Sequence, residues 1–266
     1  MLLFDLHRGS SPLIVDVPHA GTHIPDALAL RMTPAARAVP DTDWHVEKLY
    51  AFARDSQVTL MIATHSRYVV DLNRDPSGAS LYPGADNTEL CPTRTFANEA
   101  IYAGDDLPDA AEIDARRRTY FEPYHEALAQ EIARVRGRHG YAILLDGHSI
   151  RAEVPRFFHG RLPELNLGTA DGASCDAGVA AIAASVLASG AFTHVVNGRF
   201  KGGYVTRRYG RPQDNVHALQ LEMAQDAYMD EAPPYAWEPS RAKRLAALLE
   251  SLVITLAESR PQRSAA

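Results

Sequence analysis

Apolar residues along this chain gather into short runs separated by polar, turn-forming segments. The main runs are Pro12-Leu-Ile-Val-Asp-Val-Pro18, Val58-Thr-Leu-Met-Ile-Ala63, Arg67-Tyr-Val-Val-Asp-Leu72, Tyr141-Ala-Ile-Leu-Leu-Asp146, His194-Val-Val-Asn197 and Val216-His-Ala-Leu-Gln-Leu-Glu222. Short, near-continuous apolar runs are the mark of strands covered on both faces, as in a parallel sheet. Between them the period turns helical. Val46, Leu49, Tyr50 and Ala53 share one helical face, with Asp41 or Thr42 placed to cap its start. Residues 109–138 are helical in character, with Pro123 opening a second segment, and helices are also expected over 173–190 and 240–258. Residues 76–108, 151–172 and the basic, glycine-rich stretch 198–210 read as loops, the first and last as candidate lids. The tail Pro261-Gln-Arg-Ser-Ala-Ala is expected to fray. Strands alternating with helices predict one α/β domain over residues 1–266. Its layout is three layers, a mainly parallel mixed sheet flanked by helices.

Composition narrows the class. With 46% hydrophobic residues, the 266-residue chain can bury a sizeable core. A net charge of −6 argues against a general nucleic-acid binder, which carries a basic face. Cys91 and Cys175 lie far apart and form no CxxC pair, so no cysteine zinc site is expected and a reducing compartment fits. The start, Met-Leu-Leu-Phe-Asp-Leu-His-Arg, lacks the pattern of a signal peptide, and no apolar run approaches the ~18 residues of a membrane span. A cytoplasmic protein without a membrane segment is expected; its oligomeric state is left open.

The polar residues that end the runs carry the chemistry. His19, Asn73-Arg74, His148 and Glu222 each follow or close an apolar run. Parallel strands would deliver all four to one sheet edge, where ligands of open α/β sheets bind. His19 and His148 suit zinc or another divalent metal, whose catalytic sites use three protein ligands. Asp41, Asp43, His45 and His23 are candidates for the third. Asp146, two residues before His148, is placed to orient its ring. Glu222 would be costly to bury without a partner or a task, and as a general base it would take a proton from water acidified by the metal. Asn73 and Arg74 offer a fork for a carboxylate, with Arg67 near in sequence. Lys201, Arg207 and Arg208 add positive charge in the glycine-rich stretch, so a small acidic substrate is expected. Arg116-Arg117-Arg118 read as a solvated helix face, and Trp44 and Tyr68 as core or rim residues. The chain contains no G-x-S-x-G elbow, P-loop or H-E-x-x-H motif.

Several motifs in order carry a family likeness. They are Val17-Pro-His-Ala-Gly-Thr22 with Ile24-Pro25, Asp41-Thr-Asp-Trp44, Ser66-Arg-Tyr-Val-Val-Asp-Leu-Asn-Arg74, Leu145-Asp-Gly-His-Ser149, Lys201-Gly-Gly-Tyr204 and Leu221-Glu222. The set resembles the N-formylglutamate amidohydrolases, most closely the deformylases of histidine degradation. The likeness extends over roughly residues 10 to 230. It implies hydrolysis of N-formyl-L-glutamate to L-glutamate and formate, and a fold distantly similar to that of the zinc carboxypeptidases. Carried over, it implies His148 as the later zinc ligand, Asn73 and Arg74 as the carboxylate clamp, and Glu222 as base; Arg67 and Arg207 are expected as further substrate contacts from the residue pattern alone. The chain departs from the carboxypeptidase His-x-x-Glu motif, because Thr22 stands three residues after His19. A carboxylate must then come from elsewhere, and Asp43 is favoured. Rival readings are a zinc hydrolase for another N-acyl amino acid or a C-terminal peptide bond, and a non-catalytic binder of an acidic metabolite.

Overall fold

The computed structural model describes residues 1–79, 84 and 86–261. Part of the 76–108 lid candidate and the tail beyond Pro261 lie outside these residues. Among the described residues seven strands form one mixed sheet. Its spatial order is β1 (Phe4–His7), β3 (Thr59–Ala63), β2 (Leu13–Val17), β4 (Ala142–Ile150), β7 (Val216–Ala224), β5 (Leu165–Gly168) and β6 (His194–Val196). The central pairs β3–β2, β2–β4 and β4–β7 are parallel, so the carboxyl ends of these strands face one way. β1 on β3 and β5 on β7 are antiparallel. Short helices α1 (Asp26–Ala29), α2 (Pro34–Arg37) and α3 (Val46–Leu49) lie between β2 and β3. Helices α4 (Ala110–Arg116), α5 (Glu122–His139), α6 (Ala177–Ser189), α7 (Tyr204–Tyr209) and α8 (Pro239–Glu258) complete the layers.

Successive strand side chains point to opposite faces, and this alternation sorts the core. Leu13, Val15, Val17, Ile143, Leu145, Leu219 and Leu221 pack on one face against α3, α6 and α8. Ile14, Leu144 and Ala218 face the other way, toward Leu128, Ile132 and Val135 of α5 and Val205 and Tyr209 of α7. The expected three layers are therefore present, with helices on both faces of a mainly parallel sheet. Among the described residues no helix is long and apolar enough to cross a membrane.

Several expected elements differ. Residues 67–72 form turns instead of a strand. Their apolar character reflects burial of a loop: Val69 packs in one cluster, Val70 and Leu72 in another. Buried loop backbone needs partners. Asp71 donates its backbone N–H to Leu90 O at 2.7 Å, and Arg116 Nη1 donates to the carbonyls of Tyr68 and Val69 at 3.5 and 3.4 Å. Arg116 is thus a buried strut and not part of a solvated face. Helix α3 follows His45, which adopts φ 63° without a side-chain cap, and passes into a 3-10 turn over Ala51–Arg54. Asp41 and Thr42 do not cap it. Helices α4 and α5 run together through a π-helical turn over Arg117–Phe121, with Pro123 tolerated at the start of α5. The stretch 151–172 contains β5, and 198–210 contains α7, so neither is a simple loop.

The loop after β2 shows how tightly the sheet edge is built. A Cβ on Gly21 would lie 2.3 Å from His65 O and 2.4 Å from Thr64 C, both backbone atoms that cannot swing aside. Gly21→Ala is therefore expected to destabilise the fold by about 1–3 kcal/mol through overpacking. Chemical denaturation measures this, and an unchanged midpoint would show that the loop yields freely.

Candidate active site

Register brings the candidate residues together. His148 and Glu222 are opposed Cα partners on the parallel strands β4 and β7, so their side chains share one face. Both strands continue past these residues, to Ile150 and Ala224, so neither residue ends its strand as the sequence suggests. His19 stands two residues beyond β2, the other neighbour of β4. Asp43 lies on the segment before α3, and its backbone N–H donates to His19 O at 3.1 Å.

His19, Asp43 and His148 form a buried group whose possible ligand atoms lie within 4.8 Å of one another. Asp43 Oδ2 is 3.1 Å from His148 Nδ1 and 3.8 Å from His19 Nδ1. The outer nitrogens are held by carboxylates: His19 Nε2 is 2.7 Å from Asp71 Oδ1, and His148 Nε2 is 2.7 Å from Asp146 Oδ1. In His19 an Nε2–H donating outward leaves the Nδ1 lone pair facing Asp43, while His148 Nδ1 lies at hydrogen-bond distance from Asp43 and must give up its proton to serve as a ligand. His19 Nδ1 is buried and has no hydrogen-bond partner among the described residues. An orphaned buried acceptor of this kind is costly unless something fills its place. Two imidazole nitrogens and a carboxylate match the donor set of a three-ligand metal site.

The electrostatics suit a cation. Burial lowers the His19 pKa, as does Arg67, against the opposing pull of Asp71 and Asp43, so its ring stays neutral. Burial also works against charge on His148, but Asp146 and Asp43 outweigh it and hold its pKa well above the ordinary value. For Asp43, burial favours the acid form, yet Arg67 and the two histidines draw its pKa below the usual range. Asp43 is therefore an anion between two rings, where positive charge is wanted.

The other candidates for the third position have different work. Asp41 Oδ2 accepts from Tyr68 Oη at 2.5 Å and from Phe96 N at 2.8 Å, anchoring loops. His45 Nε2 lies 2.8 Å from Tyr235 O, and His23 stacks edge-on against His65. Trp44 packs against Tyr235, and Tyr68 is buried in the core.

Glu222 lies at 7% exposure beside this group. Burial pushes its carboxyl up to about 8, opposed by positive charge on His148 and Arg67 and reinforced by Asp43. Its polar contact is Gln220 Nε2, which donates to Oε2 at 3.2 Å. Arg67 and Arg74 pair instead with Asp43 and Asp71.

One cavity opens onto these residues. Its walls include His19, Arg67, Asn73, Arg74, His148, Glu222, Phe157, Arg199 and Phe200. Arg67 is buried, with Nη2 at 2.5 Å from Asp43 Oδ1, and it also lies over the Phe96 ring. Arg74 is held by Thr88 Oγ1 at 3.0 Å and Asn73 O at 3.1 Å. Asn73 lines the cavity too, but its amide is engaged: Nδ2 is 3.0 Å from His148 Nε2, and Oδ1 accepts from Val205 N at 2.8 Å. It ties the loop to β4 and α7 more than it opens a fork toward a ligand.

Arg207 does not join the cavity wall. It lies exposed on α7, its Nε donating to Gly202 O at 2.9 Å. The basic residue of the 198–210 stretch that does line the cavity is Arg199. Sequence reasoning passed over it because nothing in a Gly-Arg-Phe stretch tells which cation faces inward. It also passed over Asp71, whose place inside the run Tyr-Val-Val-Asp-Leu was the available signal, since a carboxylate in an apolar run needs a partner.

Comparison with known proteins places this arrangement. The sequence model of the family described as N-formylglutamate amidohydrolase matches residues 11–229. An N-formylglutamate deformylase of Pseudomonas aeruginosa is 44% identical over 250 residues, covering 94% of each chain. One from Pseudomonas putida is 41% identical over 255 residues, covering 96% of this chain and 95% of its own. The crystal structure of an N-formylglutamate amidohydrolase from Ralstonia eutropha JMP134 superposes with a TM-score of 0.82 at 27% identity, covering 97% of this chain and 98% of that one. The match runs through the segments that supply His19, Asp43, Asp71, His148 and Glu222, and the chain belongs to the N-formylglutamate amidohydrolase family.

Proposed function

We propose that this chain hydrolyses the formamide bond of N-formyl-L-glutamate, giving L-glutamate and formate. The observation that carries the chemistry is the unpartnered Nδ1 of His19, turned toward Asp43 and His148. We assign His19, Asp43 and His148 to a zinc ion, or another divalent metal, with Asp71 and Asp146 orienting the two rings. When bound, such an ion supplies Lewis acidity, polarising the formyl carbonyl and acidifying water.

The chain's own groups do the rest. Glu222 takes a proton from the attacking water, whose oxygen bonds to the formyl carbon. Arg67, fixed by Asp43, adds positive charge where the carbonyl oxygen becomes negative. As the C–N bond breaks, Glu222 returns the proton to the leaving nitrogen, which departs as the amine of glutamate. Arg74 anchors a substrate carboxylate and so fixes the amide in place. The setting implied by the sequence resemblance is histidine degradation in the cytoplasm.

Formate release from N-formyl-, N-acetyl- and N-succinyl-L-glutamate tests the reading, with the formyl compound expected to be preferred. Thermal stabilisation by these compounds without any turnover would instead favour a silent binding protein.

A further inference from the structure

We infer that Gln220 is a positioning residue, holding the Glu222 carboxylate in the orientation from which it takes the proton of the attacking water. This rests on the proposed reaction and on Glu222 as its base.

The sheet register places the two together. On the parallel strands β4 and β7, Asp146 stands opposite Gln220 and His148 opposite Glu222. A strand turns every second side chain to the same face, so each reactive group has a polar neighbour two residues before it in its own strand. Asp146 holds the ring of His148 in this way, with Oδ1 at 2.7 Å from Nε2. Gln220 stands in the same relation to Glu222, and its Nε2 donates to Oε2 at 3.2 Å.

The amide is committed to one orientation. Gln220 Oε1 accepts from the backbone N–H of Gly203 at 2.7 Å. Turning the amide over would set its NH2 against that N–H and its oxygen against the carboxylate, so both contacts would become repulsive. The Gly203 anchor is itself fixed. It precedes Tyr204 at the start of α7, where Val205 N donates to Asn73 Oδ1 at 2.8 Å, and a Cβ on Gly203 would lie 2.3 Å from Asn73 Nδ2. Gln220 is buried, and both ends of its amide are engaged.

The last torsion of a glutamate side chain is broad, so a carboxylate with no partner samples many orientations. A fixed donor on Oε2 sets the plane of the group and leaves Oε1 for the water. A neutral amide does this without the charge of an arginine, which would hold the carboxylate in a salt bridge and weaken it as a proton acceptor.

A double-mutant cycle tests the assignment. Gln220→Met keeps an unbranched side chain of similar length but has no N–H to donate. It should lower kcat for formate release from N-formylglutamate by about ten- to a hundredfold, the scale of a misplaced reacting group, with KM within about threefold of wild type. In the Glu222→Gln background the same substitution should change the residual kcat by less than about threefold, because a residue that acts through the base has nothing left to act on. Gln220→Glu keeps an acceptor for Gly203 N–H but faces Glu222 with a second carboxyl, which repels it or shares its proton. Its kcat should fall at least as far as in Gln220→Met. Because it retains the loop anchor, it carries the cycle if melting curves show the methionine variant to be unfolded. A wild-type kcat in either Gln220 variant, a loss confined to KM, or an equal loss with and without Glu222 would each overturn the assignment while leaving the reaction standing. If Glu222→Gln alone keeps kcat, or the wild-type protein releases no formate, the reading beneath this assignment fails and the assignment falls with it.

Discussion

Glu222→Gln is expected to lower kcat for formate release by about a thousandfold, within the range that a positioned general base supplies. Glutamine keeps the shape of the side chain and can keep its contact with Gln220, but it cannot accept a proton from water. Glu222 stands across the parallel register from His148, beside the His19–Asp43–His148 group, and lines the same cavity. Its carboxyl is pushed up to about 8 by burial, so its proton affinity is sensitive to the charges around it. Because the contact from Gln220 can be kept, the melting temperature should stay within about 3 °C of wild type. Rapid-quench or steady-state formate assays at saturating substrate measure the effect. A kcat within threefold of wild type would remove Glu222 from the role of base.

Stripping the protein with a chelator is expected to reduce activity by at least about a thousandfold, with recovery on adding a divalent ion. Metal assistance is worth several kcal/mol in the transition state, and each 1.36 kcal/mol is a factor of ten. The metal-free protein should also melt at a lower temperature, because an ion bound only by the folded chain adds about 4 kcal/mol when present at a thousand times its Kd. The structural reason is the cost of what remains. Without a cation, His19 Nδ1 has no partner and Asp43 is a buried anion balanced by Arg67 and His148. His148→Ala should lose activity to the same degree and should not recover with added metal, since it removes one of the three donors. Full activity in chelated protein whose metal content has been measured as negligible would sink the metal reading. Calorimetry of the stripped protein separates loss of the ion from loss of the fold.

The parts of this protein that the sequence made legible share one property: they are read from local pattern. The apolar runs of β2, β4 and β7 predict buried strands, and their polar residues stand out because charge inside such a run needs a partner. His19, His148 and Glu222 were found this way. Asp146 was found because a period of two puts it on the same face as His148, and its Oδ1 lies 2.7 Å from the ring. The run from Arg67 to Leu72 was misread for a related reason. Burial makes a run apolar whether it is a strand or a loop, and only the Leu90 carbonyl that accepts from Asp71 N–H and the Arg116 guanidinium that donates to Tyr68 O reveal which one it is. β1 and β5, four residues each, were too short to show a pattern.

Residues chosen by three-dimensional approach were open in the sequence. Asp41, Asp43, His45 and His23 were all plausible partners for the two histidines, and only the folded chain brings an Asp43 oxygen to 3.1 Å from His148 while turning the others toward Tyr68, Tyr235 and His65. Asp71 reaches His19 across 52 residues of sequence, and Arg199 rather than Arg207 faces the cavity because α7 starts at Tyr204 and carries Arg207 outward. The sequence by itself determined the layers, the strands that carry the chemistry and the chemical types at their ends, because hydrophobic period and the cost of buried charge act over a few residues. The tertiary structure alone decided which carboxylate joins the two histidines and which arginines line the cavity, because those choices depend on distances between segments that no local period encodes.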